Sequence, residues 1–139
     1  MNFNAKTLNS NALLSRARGE AEQIYAKPST RGGRTLNKIV ETCLYGQAAE
    51  QYLLEIHAFK DDNRPYKDLF DHDDNSVEIK VTEGDYYVPY VLKRANESRS
   101  QPWRNFSDIL YVFIGDKVST EYSLYGIYEW NGKQFGLQK

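Results

Sequence analysis

The sequence predicts an α/β domain in which a central mixed β-sheet is flanked by helices, with an extra helix at the N-terminal end and a β-hairpin at the C-terminal end. Three observations carry that expectation. Residues 108–114, D-I-L-Y-V-F-I, are an apolar run closed by Gly115-Asp116, the pattern of a central strand buried on both faces. Ser76–Thr82 alternates instead, with Val77, Ile79 and Val81 on one face and Glu78 and Lys80 on the other. Helical spacing recurs in two long segments before these strands and in one shorter segment between them.

The first helix spans residues 10–26, where Leu13, Leu14, Ala17, Ala21, Ile24 and Tyr25 recur at helical spacing. Ser10 or Asn11 can cap it, and Pro28 ends it. The segment from Lys27 to Arg34, K-P-S-T-R-G-G-R, has the breakers of a loop and the bases of a phosphate grip, with Arg31 and Arg34 flanking Gly32-Gly33. A second helix starts at Thr35 and runs to about His57. Its stripe of Leu36, Val40, Cys43, Gln47, Glu50 and Leu54 places one acid, Glu50, where an apolar residue belongs. A buried acid is costly unless it is paired or binds a cation. A helix break at Gly46 would instead shift the phase and leave Glu50 at an edge.

Residues 60–66 are expected as a turn. Residues 68–71 form a short strand, 71–75 turn the chain, and Ser76–Thr82 pairs back. Residues 88–98 form a third helix with Pro89 in its first turn, packing through Val91, Leu92 and Ala95. It crosses over to set strand 108–114 beside strand 76–82. Strand 122–130 follows, Asn131-Gly132 marks a two-residue hairpin turn, and 133–137 returns as an edge strand.

With 139 residues the chain makes one domain, 1–139: a basic N-terminal helix and loop (1–34), a core (35–115) and C-terminal strands (116–139). No apolar run nears the ~20 residues that span a bilayer, so no membrane partner is expected. The single cysteine, Cys43, and the lack of a basic-then-apolar leader pattern fit a cytoplasmic location. The net charge of −1 hides a segregation. Residues 1–40 and 86–139 are net basic, and 41–85 hold twelve acids against four bases. An acidic centre between basic flanks suits a metal ion at the centre and a polyanion around it.

The candidate chemistry lies in the hairpin. Glu78 and Lys80 are neighbours on one face, about 7 Å apart along the strand, and the turn returns that strand past Asp68. Two carboxylates can hold one divalent ion between them, with the Ile79 carbonyl as a further ligand and Glu50 reaching in from the helix. Lys80 can orient a water or offset phosphate charge. Two histidines and one cysteine make no usual zinc site, and no local motif supports a Ser-His-Asp triad.

The pattern Glu50…Asp68…Glu78-Ile79-Lys80, within V-E-I-K-V-T, resembles the PD-(D/E)xK nuclease superfamily. The family's Pro-Asp pair is Lys67-Asp68 here, and Asp71 is an alternative first acid. The segment G-Q-A-A-E-Q-Y-L-L is similar to the family helix that adds an acid. The resemblance covers residues 35–115 and implies a restriction-endonuclease-like core. It also implies a Mg²⁺-dependent DNA endonuclease in which Mn²⁺ substitutes. In that expectation Asp68, Glu78, Glu50 and the Ile79 carbonyl hold metal, and Lys80 assists the nucleophile. Arg31, Arg34, Lys38, Lys93, Arg94 and Arg99 bind DNA, and the protein is a homodimer that cuts two strands. The segment E-I-K-V-T followed by a basic helix resembles archaeal-type Holliday junction resolvases. The target, whether junction, specific site or RNA, stays open. Two other classes are carried beside it. One is an inactive nucleic-acid-binding or protein-interaction module that uses the tyrosine-rich C-terminal hairpin. The other is an acidic DNA mimic that binds a basic protein.

Overall fold

A computed structural model describes residues 1–62, 68–101 and 106–138. Three longer helices, α1 (Ser10–Ala26), α3 (Leu36–His57) and α4 (Val88–Arg99), surround a seven-stranded mixed sheet, and α2 (Pro28–Arg31) is a single turn. The strands are β1 (Asn2–Asn4), β2 (Lys60–Asp61), β3 (Leu69–Phe70), β4 (Ser76–Thr82), β5 (Ile109–Gly115), β6 (Glu121–Trp130) and β7 (Phe135–Leu137). Their order is β1-β6-β5-β4-β3-β2, and β7 also pairs with β6. As the sequence predicts, α4 carries the chain from β4 to β5, which pair in parallel with Glu78 opposite Leu110 and Lys80 opposite Val112.

Alternation along β4 and β5 divides the interior in two. Val77, Ile79, Tyr111 and Phe113 face α3, packing with Ala48, Ala49, Tyr52 and Leu53. Leu110 and Val112 face the other way, packing with Val88 and Ala95 of α4 and with Phe106, Tyr128 and Phe135. Glu78 and Lys80 share a face with Leu110 and Val112. They therefore belong to the α4 side of the sheet.

Several boundaries differ from expectation, each for a local reason. Asn9, not Ser10 or Asn11, caps α1 by accepting from the Ala12 N–H at 3.0 Å. The expected basic loop contains α2, because Pro28 ends α1 and also opens a new turn at its first position. Helix α3 runs straight through Gly46, so Glu50 is buried by the helix itself and not displaced to an edge. Its buried line passes through Ile39, Cys43 and Leu53, whereas Leu36 is exposed. Lys60 and Asp61 are not turn residues but pair with Phe70 and Leu69. Residues 63–66 of that expected turn, and Lys67, lie outside the described residues.

The hairpin after β6 is a four-residue loop, not two. The Asn131 side chain accepts from the Lys133 and Gln134 N–H groups, and Gly132 takes φ +98°. The sequence gives no sign of β1, whose single apolar residue, Phe3, stacks between Tyr52 and Tyr122 with centroids 4.1 and 4.8 Å away. Among the described residues no helix is long and apolar enough to cross a membrane.

Candidate active site

The short β3 leaves most of one β4 edge unpaired, and the site forms there. Strands β3 and β4 pair only at Leu69–Val77 and Phe70–Ser76. Just before β3, the Asp68 N–H donates to the Val77 carbonyl at 3.1 Å. The Asp68 carboxylate then continues the ladder with a side chain, its Oδ2 accepting from the Ile79 N–H at 2.7 Å. In an extended strand the N–H and C=O of one residue project to the same edge. The Ile79 carbonyl therefore lies on the Asp68 side.

Asp68 and Glu78 come within hydrogen-bonding reach of each other. Both carboxyls are pushed up by burial. For Glu78 the charge of Asp68 adds to the rise, while Lys80 opposes it. Two close carboxylates out of bulk water cannot both ionise cheaply, and a cation bound between them would offset that cost. Glu78 Oε2 is buried and has no hydrogen-bond partner among the described residues.

The Lys80 ammonium lies 3.2 Å from Glu78 Oε1, on a side chain that is 44% exposed. Burial works to lower its pKa, but Glu78 and Asp68 outweigh that and raise it. Lys80 therefore stays charged at neutral pH.

Glu50 reaches the cluster from α3. Burial first, and Asp68 second, push its carboxyl up to about 8 against the pull of Arg16. The Arg16 Nη2 lies 3.3 Å from Glu50 Oε1, and the same guanidinium donates to Gln47 and to Asp61. Glu50 thus feels the charge of Asp68 but is hydrogen-bonded to Arg16. Among the described residues no three His, Cys, Asp or Glu side chains are drawn together as a ready-made metal cage. Magnesium needs only one or two carboxylates and completes its shell with water and substrate oxygens. The Asp68–Glu78 pair, with its orphaned buried oxygen, fits that requirement, and Glu50 stands behind it.

The structure separates Asp68 from its alternative. Asp71 Oδ1 accepts from the Asp73 and Asn75 N–H groups at 2.9 Å each, so this carboxylate builds the turn. It also divides the six expected DNA-binding bases. Lys93 and Arg94 are exposed on α4, the side of the sheet that carries Lys80. Arg99 is held by Asp108 at 2.6 Å and lies over the Trp130 ring. Arg31 lies over Tyr25, Arg34 donates to the Thr30 carbonyl, and Lys38 pairs with Glu41. Lys38 is twelve residues from Glu50 on α3, about 18 Å along the helix. The structure does not bring this basic group to the acids. Nor does the C-terminal hairpin present a tyrosine surface: Tyr122 and Tyr128 are core, and Tyr125 alone of its three tyrosines is exposed.

Two participants are not identified from the sequence. Arg16, which steadies Glu50, flanks the apolar stripe of α1 one turn after Leu13. That position is a detectable signal for a cation facing an inward acid. Asp62 is buried, accepts from the Ser76 hydroxyl at 2.7 Å and donates its N–H to the Asp68 carbonyl at 3.2 Å. It braces the hairpin from just after β2, an element with too little pattern to foresee.

Comparison with known proteins finds no matching family model, no matching curated protein and no matching solved structure.

Proposed function

We propose that the protein is a magnesium-dependent DNA endonuclease with a restriction-endonuclease-like core. One observation carries the proposal: two buried carboxyls in mutual reach, one with an orphaned oxygen, beside an ammonium on the same strand. Such a cluster is costly to fold and gives nothing to packing. It is an arrangement suited to metal-assisted phosphodiester hydrolysis.

In this proposal Asp68 and Glu78 hold the ion, with the Ile79 carbonyl on the same edge. The ion, when bound, supplies charge neutralisation at the phosphate and lowers the pKa of a nearby water. Lys80 donates to a phosphate oxygen or orients the attacking water, and its exposure leaves it within reach of substrate. Glu50 stands behind Asp68 as a further carboxyl for the ion, and Arg16 fixes its position. Lys93 and Arg94 flank the site as phosphate contacts.

The test is a cleavage gel with plasmid, single-stranded and four-way-junction DNA, with and without Mg²⁺ or Mn²⁺. Wild type should cut at least one substrate only when metal is present. Lys80→Ala should lower the rate at least a hundredfold with an unchanged circular dichroism spectrum. No cleavage of any substrate would sink the proposal. Metal-independent binding without cutting would leave a nucleic-acid-binding module.

A further inference from the structure

Four residues beyond the end of β4, the chain begins to expose large aromatic rings. Tyr86, Tyr87 and Tyr90 are 84%, 51% and 58% exposed. Tyr86 and Tyr87 lie edge to face with centroids 5.4 Å apart, and Tyr90 follows within one helical turn, so the three sit close together. The Arg94 guanidinium lies over the Tyr90 ring at 5.7 Å and donates to its hydroxyl at 3.0 Å.

This patch adjoins the site. Tyr90, Val91, Arg94, Ala95 and Phe106 line a cavity of about 210 Å³ whose wall also includes Lys80. The cavity is smaller than the roughly 300 Å³ of drug-sized pockets. It suits one flat group and not a whole chain.

Three neighbouring exposed tyrosines form the kind of amphipathic patch that marks a binding surface. The charge around them is mixed: Lys93 and Arg94 are offset by Asp85 and Glu97. A continuous duplex hides its base faces and is gripped chiefly through phosphates, which needs more basic surface than this. An unpaired strand offers base faces, and stacking on aromatics with a nearby Arg is how such strands are held.

We infer that Tyr86, Tyr87 and Tyr90, with Arg94, form a stacking platform for unpaired bases. The platform delivers the adjoining phosphate to Lys80, so the substrate class is single-stranded or locally unpaired DNA. This rests on the nuclease proposal for the role of Lys80, but the platform is tested without cleavage.

The experiment is fluorescence anisotropy in EDTA with full-length protein. The probes are a fluorescein-labelled single-stranded oligonucleotide, its blunt duplex, and the same duplex with a short unpaired gap. The proteins are wild type, a triple Tyr86→Ala/Tyr87→Ala/Tyr90→Ala variant, and the triple Phe variant, which keeps the rings. The side chains are exposed, so folding should persist, as checked by circular dichroism. Single-stranded and gapped probes should bind at least tenfold tighter than blunt duplex. The Ala variant should lose at least tenfold on those probes, about the loss of one stacked base, and the Phe variant should retain it. Equal affinity for all probes, an Ala variant that binds like wild type, or no DNA binding at all would each overturn the platform. Cleavage scored separately with Mg²⁺ keeps the two proposals apart. A platform that binds without cutting refutes only the nuclease. A nuclease whose Ala variant binds and cuts as wild type refutes only the platform.

Discussion

Replacing Glu50 by glutamine tests the electrostatics of the site before any substrate is added. Its carboxyl is pushed from 4.5 to about 8 by burial and by Asp68, against Arg16. Below pH 4.5 both folded and unfolded chains hold the proton, and ionisation costs nothing. Between pH 4.5 and 8 the unfolded chain releases it while the folded chain keeps it. Stability therefore falls as pH rises through this window, and the penalty is complete above it. Each pH unit is worth about 1.4 kcal/mol. At pH 7 the wild-type carboxyl thus carries about 3 kcal/mol that a neutral amide does not. The amide NH₂ that replaces one carboxyl oxygen is buried as well, and a donor left there without an acceptor costs about 1–2 kcal/mol, leaving a net gain of about 1–2 kcal/mol. The amide oxygen can still accept from Arg16, so the geometry survives. Urea unfolding in EDTA, followed by circular dichroism, reads the difference. Glu50→Gln should be more stable than wild type by about 1–2 kcal/mol at pH 7, with the gap closing toward pH 4.5. A variant no more stable than wild type at pH 7 would refute the reasoning.

Other outcomes follow from the packing. A methyl group on Gly115 would lie 2.4 Å from the Tyr122 ring, which is itself fixed by a 2.9 Å hydrogen bond to the Tyr45 carbonyl. Gly115→Ala should cost about 1–3 kcal/mol in thermal or urea unfolding, and an unchanged midpoint would show that the ring moves freely. The Cys43 thiol is pushed from 9.0 to about 12, chiefly by burial and then by Glu20. It stays protonated at pH 8, so a thiol reagent should label the protein only after denaturation, and rapid native labelling would contradict the packing between α1 and α3. The Tyr122 phenol is also pushed up to about 12 by burial. Above pH 10 the unfolded chain ionises this group first, so its share of stability is lost as pH climbs from 10 through 12. A melting temperature flat across that range would oppose it.

Long periodic elements are legible in the sequence because their patterns repeat. In β4 both faces are covered, so Glu78 and Thr82 are buried with Val77 and Ile79, and the alternation marks the two faces and not burial. Tyr25 of the α1 stripe is exposed, whereas the apolar run of β5 and Leu13, Ala17, Ala21 and Ala95 of α1 and α4 match burial in the structure. So does the anomaly of Glu50, because an acid on an inward line has few physical explanations. The hairpin pairing also puts Asp68 beside Glu78, as the alternation requires. The missed features are those whose signal lies elsewhere in the chain. Strand β1 owes its place to rings contributed by α3 and β6, and β2 is two residues long. The partner of Glu50 sits on another helix, so burial of the acid is predictable, while the flanking position of Arg16 on α1 marks a candidate cation but does not pair the two. The six bases share one charge but not one place. Only the fold separates Lys93 and Arg94 on the side of Lys80 from Arg31, Arg34 and Lys38 at the far end of α3. The tyrosines next to the site precede and open α4, where helical spacing explains them equally well as packing residues.

The central claim is that Asp68 and Glu78 exist to hold a divalent cation. Manganese titration of the full-length protein at pH 7.5, with free Mn²⁺ read by electron paramagnetic resonance, addresses it without any nucleic acid. Wild type should take up Mn²⁺, Mg²⁺ should displace it, and Glu78→Gln should weaken uptake at least tenfold. Uptake that Glu78→Gln leaves unchanged, or no uptake by wild type at millimolar Mn²⁺, would contradict the claim.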